Sequence, residues 1–252
     1  MHTFINLGGF IIPSYGLAII IGIITANIIA FALVKSSKLD INDFIILEAY
    51  TFLGAILGAK ILYLWVSRHQ IDWSRILEID YFNSLMQGGF VFYGGLIGGL
   101  LFVFAGGKIH KINTEIYARK FIFLIPYIHC FGRIGCFFAG CCYGMPYDGV
   151  LAVTFPTNSL APAGVKLFPV QLVEAFFLML LAIGILILQL KTNTKYTIEL
   201  YLIAYAVLRF VLEYFRYDEA RGRFLMFFTS QWISIGLVVG VAVVTWLRRR
   251  HT

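Results

Sequence analysis

Stretches of about twenty mostly apolar residues recur along the whole chain, and about twenty is the number an α-helix needs to cross the hydrocarbon core of a bilayer. Seven such stretches, approximately 10–34, 44–67, 88–106, 120–140, 168–190, 197–215 and 226–247, end at polar, glycine or charged residues. The segments between them are too short for a soluble domain. A chain that is 60% hydrophobic and 13% charged therefore predicts one all-α, polytopic integral-membrane domain over residues 1–252, with about seven transmembrane helices. The first stretch has no basic segment before it and no small-residue cleavage site after it, so it reads as a retained helix.

The 20 lysines and arginines set the orientation. With the N-terminus outside, eleven of them, at 35–38, 108–120, 191–195 and 248–250, fall on the inner side. Six fall outside: Arg68, Arg75, Lys166, Arg216, Arg221 and Arg223. The positive-inside rule then favours N-out and C-in. The net charge of +7 is mostly a topology signal, with anionic lipid headgroups as its counter-ions. Basic residues scattered over every segment, with no stripe, argue against a nucleic-acid partner.

Lys60, Arg133 and Arg209 remain inside or at the edge of the apolar stretches. An arginine at mid-membrane costs roughly 2.5–3.5 kcal/mol on insertion scales, so it faces a cavity, a carboxylate or an anionic ligand, or snorkels to the interface. Arg133 stands between Gly132 and Gly135, which let a headgroup approach, and a guanidinium grips phosphate through two parallel hydrogen bonds. Arg209, Glu213 and Arg216 are spaced i, i+4 and i+7, as on one helix face. That set reads as a charge-lined cavity or as a structural ion pair. Glu174, with Gln171, opens the fifth stretch and is placed to counter Arg133 or Arg209, or to sit in outer-face water. Tyr15 and Tyr93 are phenols within apolar sequence that need hydrogen-bond partners. The paired glycines around Tyr93 in "GGFVFYGGLIGGLL" are, taken alone, a helix-packing signal.

Four cysteines, Cys130, Cys136, Cys141 and Cys142, crowd one region beside His129. Their spacing lacks the paired C-x2-C knuckles of common structural zinc sites, so no metal ligand set is assigned and no cofactor is expected. A Cys136–Cys141 or Cys136–Cys142 disulfide on an oxidising face, and unreactive buried thiols, both stay open. Residues 68–87 alternate apolar and charged side chains and are too polar to span. They read as an interfacial helical arm or a solvated loop.

In order and spacing, "SYGLA", "GAKILY", "GGFVFYGGLIGG", "GRIGCFFAGCCYG", "FPVQLVEAFF", "AYAVLRFVLEYFR" and "SQWISIGLVVG" together resemble the prolipoprotein diacylglyceryl transferase family, over nearly the whole chain. The resemblance implies transfer of the diacylglyceryl group of phosphatidylglycerol to the lipobox cysteine of a preprolipoprotein, with release of glycerol phosphate. It implies a multi-pass protein of the bacterial cytoplasmic membrane whose active site faces the outer leaflet. Carried over by position, Arg133 and Arg209 bind and polarise the phosphate, Glu174 and Glu213 orient them, and Tyr15 and Gly144 shape the pocket; Arg216 joins them as a substrate-binding candidate. The family usually has His at the position of Tyr93, Asn at Cys136 and Glu at Cys141. A phenol with an unperturbed pKa of about 10 is a weak base, so Tyr93 is a catalytic candidate on condition that Arg133 or Arg209 lowers its pKa, a cysteine thiolate is the other candidate for the missing polar group, and Cys136, Cys141 and Cys142 are redox or modified active-site candidates. Two other readings accompany the departure: a phosphatidylglycerol-dependent transferase with another acceptor, and a non-catalytic lipid-binding or redox-sensing protein.

Overall fold

The computed structural model describes residues 4–8, 10–192, 194–217 and 222–250; Arg221 lies outside the described residues. Each of the seven apolar stretches contains a helix. In chain order the helices are α1 (Ser14–Ser36), α2 (Ile41–Val66), α3 (Ile79–Gln87), α4 (Phe92–His110), α5 (Thr114–Phe121), α6 (Leu124–Ala139), α7 (Val170–Lys191), α8 (Thr197–Leu212) and α9 (Thr229–Arg250). Three short antiparallel strand pairs accompany them: β1 (Phe4–Leu7) with β2 (Phe10–Pro13) ahead of α1, β3 (Val153–Thr154) with β4 (Lys166–Leu167) between α6 and α7, and β5 (Arg223–Phe224) with β6 (Phe227–Phe228) between α8 and α9.

Among the described residues four helices, α1, α2, α7 and α9, are long and apolar enough to cross a membrane, and a fifth candidate arises if α5 and α6 count as one span bent by 48°. The bend has a local cause. Pro126, in the first turn of α6, has no N–H to give to the Ile122 carbonyl, which instead accepts from the Ile125 N–H at 3.1 Å.

The chain forms two compact units, Phe31–Tyr117 in one, Met1–Ala30 with Ala118–Thr252 in the other. In the first, α2 packs on α4 through glycines. A Cβ on Gly54, Gly58, Gly94 or Gly98 would run into a backbone carbonyl of the facing helix, so only glycine permits this approach. The glycines around Tyr93 therefore serve helix packing. Lys60 is accounted for here as well: Nζ donates to the carbonyls of Leu85 (2.9 Å), Gly88 (2.6 Å) and Gly89 (3.3 Å) and lies 4.4 Å from the Phe90 ring centre. It anchors the turn between α3 and α4. Within 68–87 the chain makes a 3-10 turn at Trp73–Arg75 and then α3, leaving Trp73, Leu77, Ile79 and Phe82 exposed. Tyr81 Oη accepts from the Asp72 N–H at 2.8 Å and ties the turn to the helix.

In the second unit, α6 packs on α7, α7 on α8, and α8 on α9. A buried cluster of Cys130, Ala175 and Leu178, flanked by Ile134, Met179, Tyr205 and Leu208, fills the space between α6, α7 and α8. Cys130, 3% exposed, acts as a small hydrophobe. Gly22 on α1 faces the Phe131 ring, and Gly135 on α6 faces Tyr15 so closely that a Cβ there would sit only 3.0–3.1 Å from its ring and backbone. These two glycines bring α1 against α6. Gln231, 1% exposed at the start of α9, accepts from the Phe228 N–H (3.1 Å) and donates to the Phe210 carbonyl (3.3 Å), fixing α9 on α8.

Candidate active site

The second unit gathers the charges that the apolar stretches could not absorb. Arg133 on α6 and Glu174 on α7 face each other with Nε and Oε2 3.1 Å apart, and their side chains are 13% and 2% exposed. The contact is an ion pair that is not aligned as a hydrogen bond, so Arg133 Nε keeps its donor. Arg209 Nη2 lies 2.9 Å from Glu213 Oε2, with Glu213 also withdrawn from water. Arg209 Nη1 and Glu174 Oε1 have no hydrogen-bond partner among the described residues. Buried guanidinium donors left over after ion pairing are what a phosphate oxygen requires. His129, one turn before Arg133, stacks edge-on to Tyr205 with ring centres 5.5 Å apart and lies within electrostatic reach of both arginines. The two guanidiniums thus border one buried polar region.

The expected stripe of Arg209, Glu213 and Arg216 on one helix face is only half formed. Helix α8 stops at Leu212, a 3-10 turn carries Glu213–Phe215, and Arg216 is extended at φ −85° and ψ 150°. Tertiary pairing overrides the helical spacing. Arg216 bridges Gly144 in antiparallel register, Met145 N–H donates to Phe215 O (2.9 Å), and Tyr217 N–H donates to Tyr143 O (3.1 Å). A Cβ on Gly144 would meet the Phe168 carbonyl oxygen on one side and the Phe215 carbonyl oxygen on the other, so this strip closes only on glycine.

The loop just before that strip carries three of the cysteines. Gly140, at φ +74°, ends α6, and its N–H turns back to the carbonyls of Cys136 and Phe137. The Cys141 N–H also reaches Cys136 O (3.1 Å), and Cys142 adopts a left-handed φ of +58°. These turns fold Cys141 and Cys142 over Cys136, and the three Sγ atoms all lie within 4.8 Å of one another. Gln171 on α7, 1% exposed, holds the loop by donating Nε2 to Cys141 O at 2.9 Å. All four cysteines are free thiols. Hydrogen bonds from Cys136 and Cys141, with the Arg216 and Arg133 charges, draw the Cys142 thiol below its usual pKa, while hydrogen bonds to Cys136 and Cys142, with burial, push Cys141 up. Tyr15, 43% exposed on the first turn of α1, lies within electrostatic reach of Arg133 and of all three thiols.

Comparison with known proteins decides the family. The family model described as prolipoprotein diacylglyceryl transferase matches residues 2–247. The chain belongs to the prolipoprotein diacylglyceryl transferase family. It is 37% identical over 236 residues to phosphatidylglycerol–prolipoprotein diacylglyceryl transferase 2 of Clostridium perfringens, covering 92% of this chain and 89% of that one. It is 35% identical over 243 residues to the corresponding transferase of Clostridium tetani, covering 94% of each. Identity to the Erythrobacter litoralis transferase is 30% over 266 residues, covering 98% of this chain and 90% of that one.

In this member of the prolipoprotein diacylglyceryl transferase family, Tyr15, Arg133, Cys136, Cys141, Cys142, Gly144, Glu174, Arg209, Glu213 and Arg216 all belong to the larger unit. Tyr93 belongs to the other, on α4, with a side chain 44% exposed. Sequence reasoning gave no part to Tyr205 or to the Gln171 tether. The spacing of Tyr205 four residues before Arg209 was the available signal for the first; the second depends on a contact across 30 residues of chain.

Proposed function

We propose that the protein transfers the diacylglyceryl group of phosphatidylglycerol to the lipobox cysteine of a preprolipoprotein, releasing glycerol phosphate. The observation that carries this reading is the pair of buried guanidiniums, Arg133 and Arg209, each held by a carboxylate and each keeping a donor unused. Bond cleavage at the glyceryl carbon leaves its electron pair on a phosphate oxygen, and fixed cations in a dry site stabilise that charge without reorganising at the moment of reaction. Two planar forks also orient the lipid, so that the acceptor sulfur meets the carbon opposite the leaving oxygen.

In this scheme Arg133 and Arg209 contact phosphate, while Glu174 and Glu213 position them. Tyr15 and Gly144 shape the pocket wall, with Arg216 beside it. Tyr93 enters on its sequence position alone, where the family usually carries histidine. The protein is placed in the bacterial cytoplasmic membrane as one integral domain of seven spans, N-out and C-in, with its site at the outer leaflet and anionic lipid around its basic ends. The charge distribution of the sequence supports that placement.

Complementation tests the reading. In a bacterium depleted of its own transferase, the parent chain is expected to restore lipid modification of a reporter lipoprotein, and Arg133→Ala is expected to fail at equal abundance. Restoration by both forms, or by neither, contradicts it.

A further inference from the structure

The thiol cluster does more than fill space. Cys136 is buried at the last turn of α6, whereas Cys141 and Cys142 are half-buried, and Tyr15 lies within electrostatic reach of all three. Three sulfurs within 4.8 Å of one another are close to the spacing that one zinc ion imposes, because Zn–S bonds of about 2.3 Å in a tetrahedron set sulfurs roughly 3.8 Å apart. Small side-chain rotations close the difference. The loop that presents them is built rather than slack. It is held by the Gly140 cap, the Gln171 tether to Cys141 O and the Gly144–Arg216 bridge, and it stores a non-glycine residue in the left-handed region at Cys142.

We propose that Cys136, Cys141 and Cys142 bind a zinc ion whose fourth position takes the sulfur of the acceptor cysteine. Three protein ligands with one open position is the catalytic form of a zinc site, and a thiol that coordinates zinc is deprotonated outright. The inference rests on the transferase reading for the identity of the fourth ligand. The step balances without a redox change. The acceptor thiol gives its proton to water on coordination, its sulfur lone pair forms the S–C bond to the glyceryl carbon, and the C–O bond breaks with its electron pair leaving on glycerol phosphate. Zinc keeps its charge throughout. Arg133 and Arg216, both within electrostatic reach of Cys142, offset the negative charge of the thiolate-rich ion. The zinc thus supplies the activated nucleophile, and the guanidiniums receive the leaving group.

Metal content of the purified full-length protein tests the site apart from turnover. The expected result is about one zinc per chain, retained in Cys130→Ser and lost in Cys136→Ser and Cys142→Ser, with helical circular dichroism unchanged in all. The second measurement uses the unmodified chain loaded with cobalt(II) in place of zinc. The expected spectrum has thiolate-to-cobalt charge transfer and tetrahedral d–d bands that change on adding a lipobox peptide and not its cysteine-to-serine version. Zinc-free chain is expected to lose peptide modification and to regain it with zinc but not magnesium. Cysteine-independent metal content, no cobalt–thiolate band, or full transfer by zinc-free chain each overturns the proposal, and the last leaves the transferase reading intact. A cobalt spectrum that ignores the peptide overturns the fourth-ligand role. A metal-loaded chain that responds to the peptide but never modifies it contradicts the transferase reading and leaves the zinc site standing.

Discussion

Arg133 and Glu174 meet across the α6–α7 contact, 3.1 Å between Nε and Oε2, with the carboxylate almost wholly withdrawn from solvent. A buried cation held by one carboxylate yet left with a spare donor is poised to take a second anion. Removing the carboxylate leaves the cation uncompensated, which typically costs about 3–5 kcal/mol. Glu174→Ala is expected to lower the melting temperature markedly in detergent, and phosphatidylglycerol is expected to recover more of the loss than phosphatidylcholine does. Equal recovery by both lipids, each of which carries a phosphate, would show that Arg133 does not select the net-anionic headgroup.

Arg209 is expected not to tolerate lysine. An ammonium keeps the charge and loses the planar fork, so Arg209→Lys should lower turnover by about 100-fold while leaving the melting temperature near that of the parent. Steady-state transfer at saturating lipid measures this. A change confined to KM would reassign Arg209 to ground-state binding.

Gly144→Ala tests the strip that sets Arg216 beside the cysteine loop. The added methyl meets two backbone carbonyls, neither of which is a flexible side-chain end. Overpacking of this kind costs about 1–3 kcal/mol, read as a lower melting temperature and faster proteolysis between α6 and α7. Unchanged stability would mean that the strip is looser than its pairing indicates.

Gly58→Leu probes the smaller unit in the same way. Its α2–α4 contact has no room for a side chain, so the variant is expected to lose folded yield, whereas a leucine at Gly16, where a Cβ meets nothing within 4 Å, is expected to be tolerated. Comparable yields for both variants would argue against glycine-mediated packing of α2 on α4.

The helices were legible because their signal is local: an apolar run of the right length reads as a helix without knowledge of its neighbours. Arg133 and Arg209 stood out for the same reason, as charges that the run could not hide. What escaped depended on partners far along the chain. Nothing near Arg216 in sequence indicates that its backbone leaves the helix to bridge Gly144. Likewise, the spacing of Cys136, Cys141 and Cys142 resembles no common ligand pattern, and only the reversal at Gly140 and the left-handed Cys142 bring the three sulfurs together. Lys60 illustrates the opposite case, a charge left over by the apolar stretches that turns out to be consumed by the carbonyls of Leu85, Gly88 and Gly89.

The most direct measurement is transfer of label from phosphatidylglycerol, labelled in its acyl chains, to a lipobox peptide by the purified protein, with Arg133→Ala alongside. The account predicts a labelled thioether on the peptide cysteine from the parent, and a rate lower by about 100- to 1,000-fold for Arg133→Ala. Lipid that binds in an Arg133-dependent way while no label reaches the peptide, with zinc supplied, would contradict it.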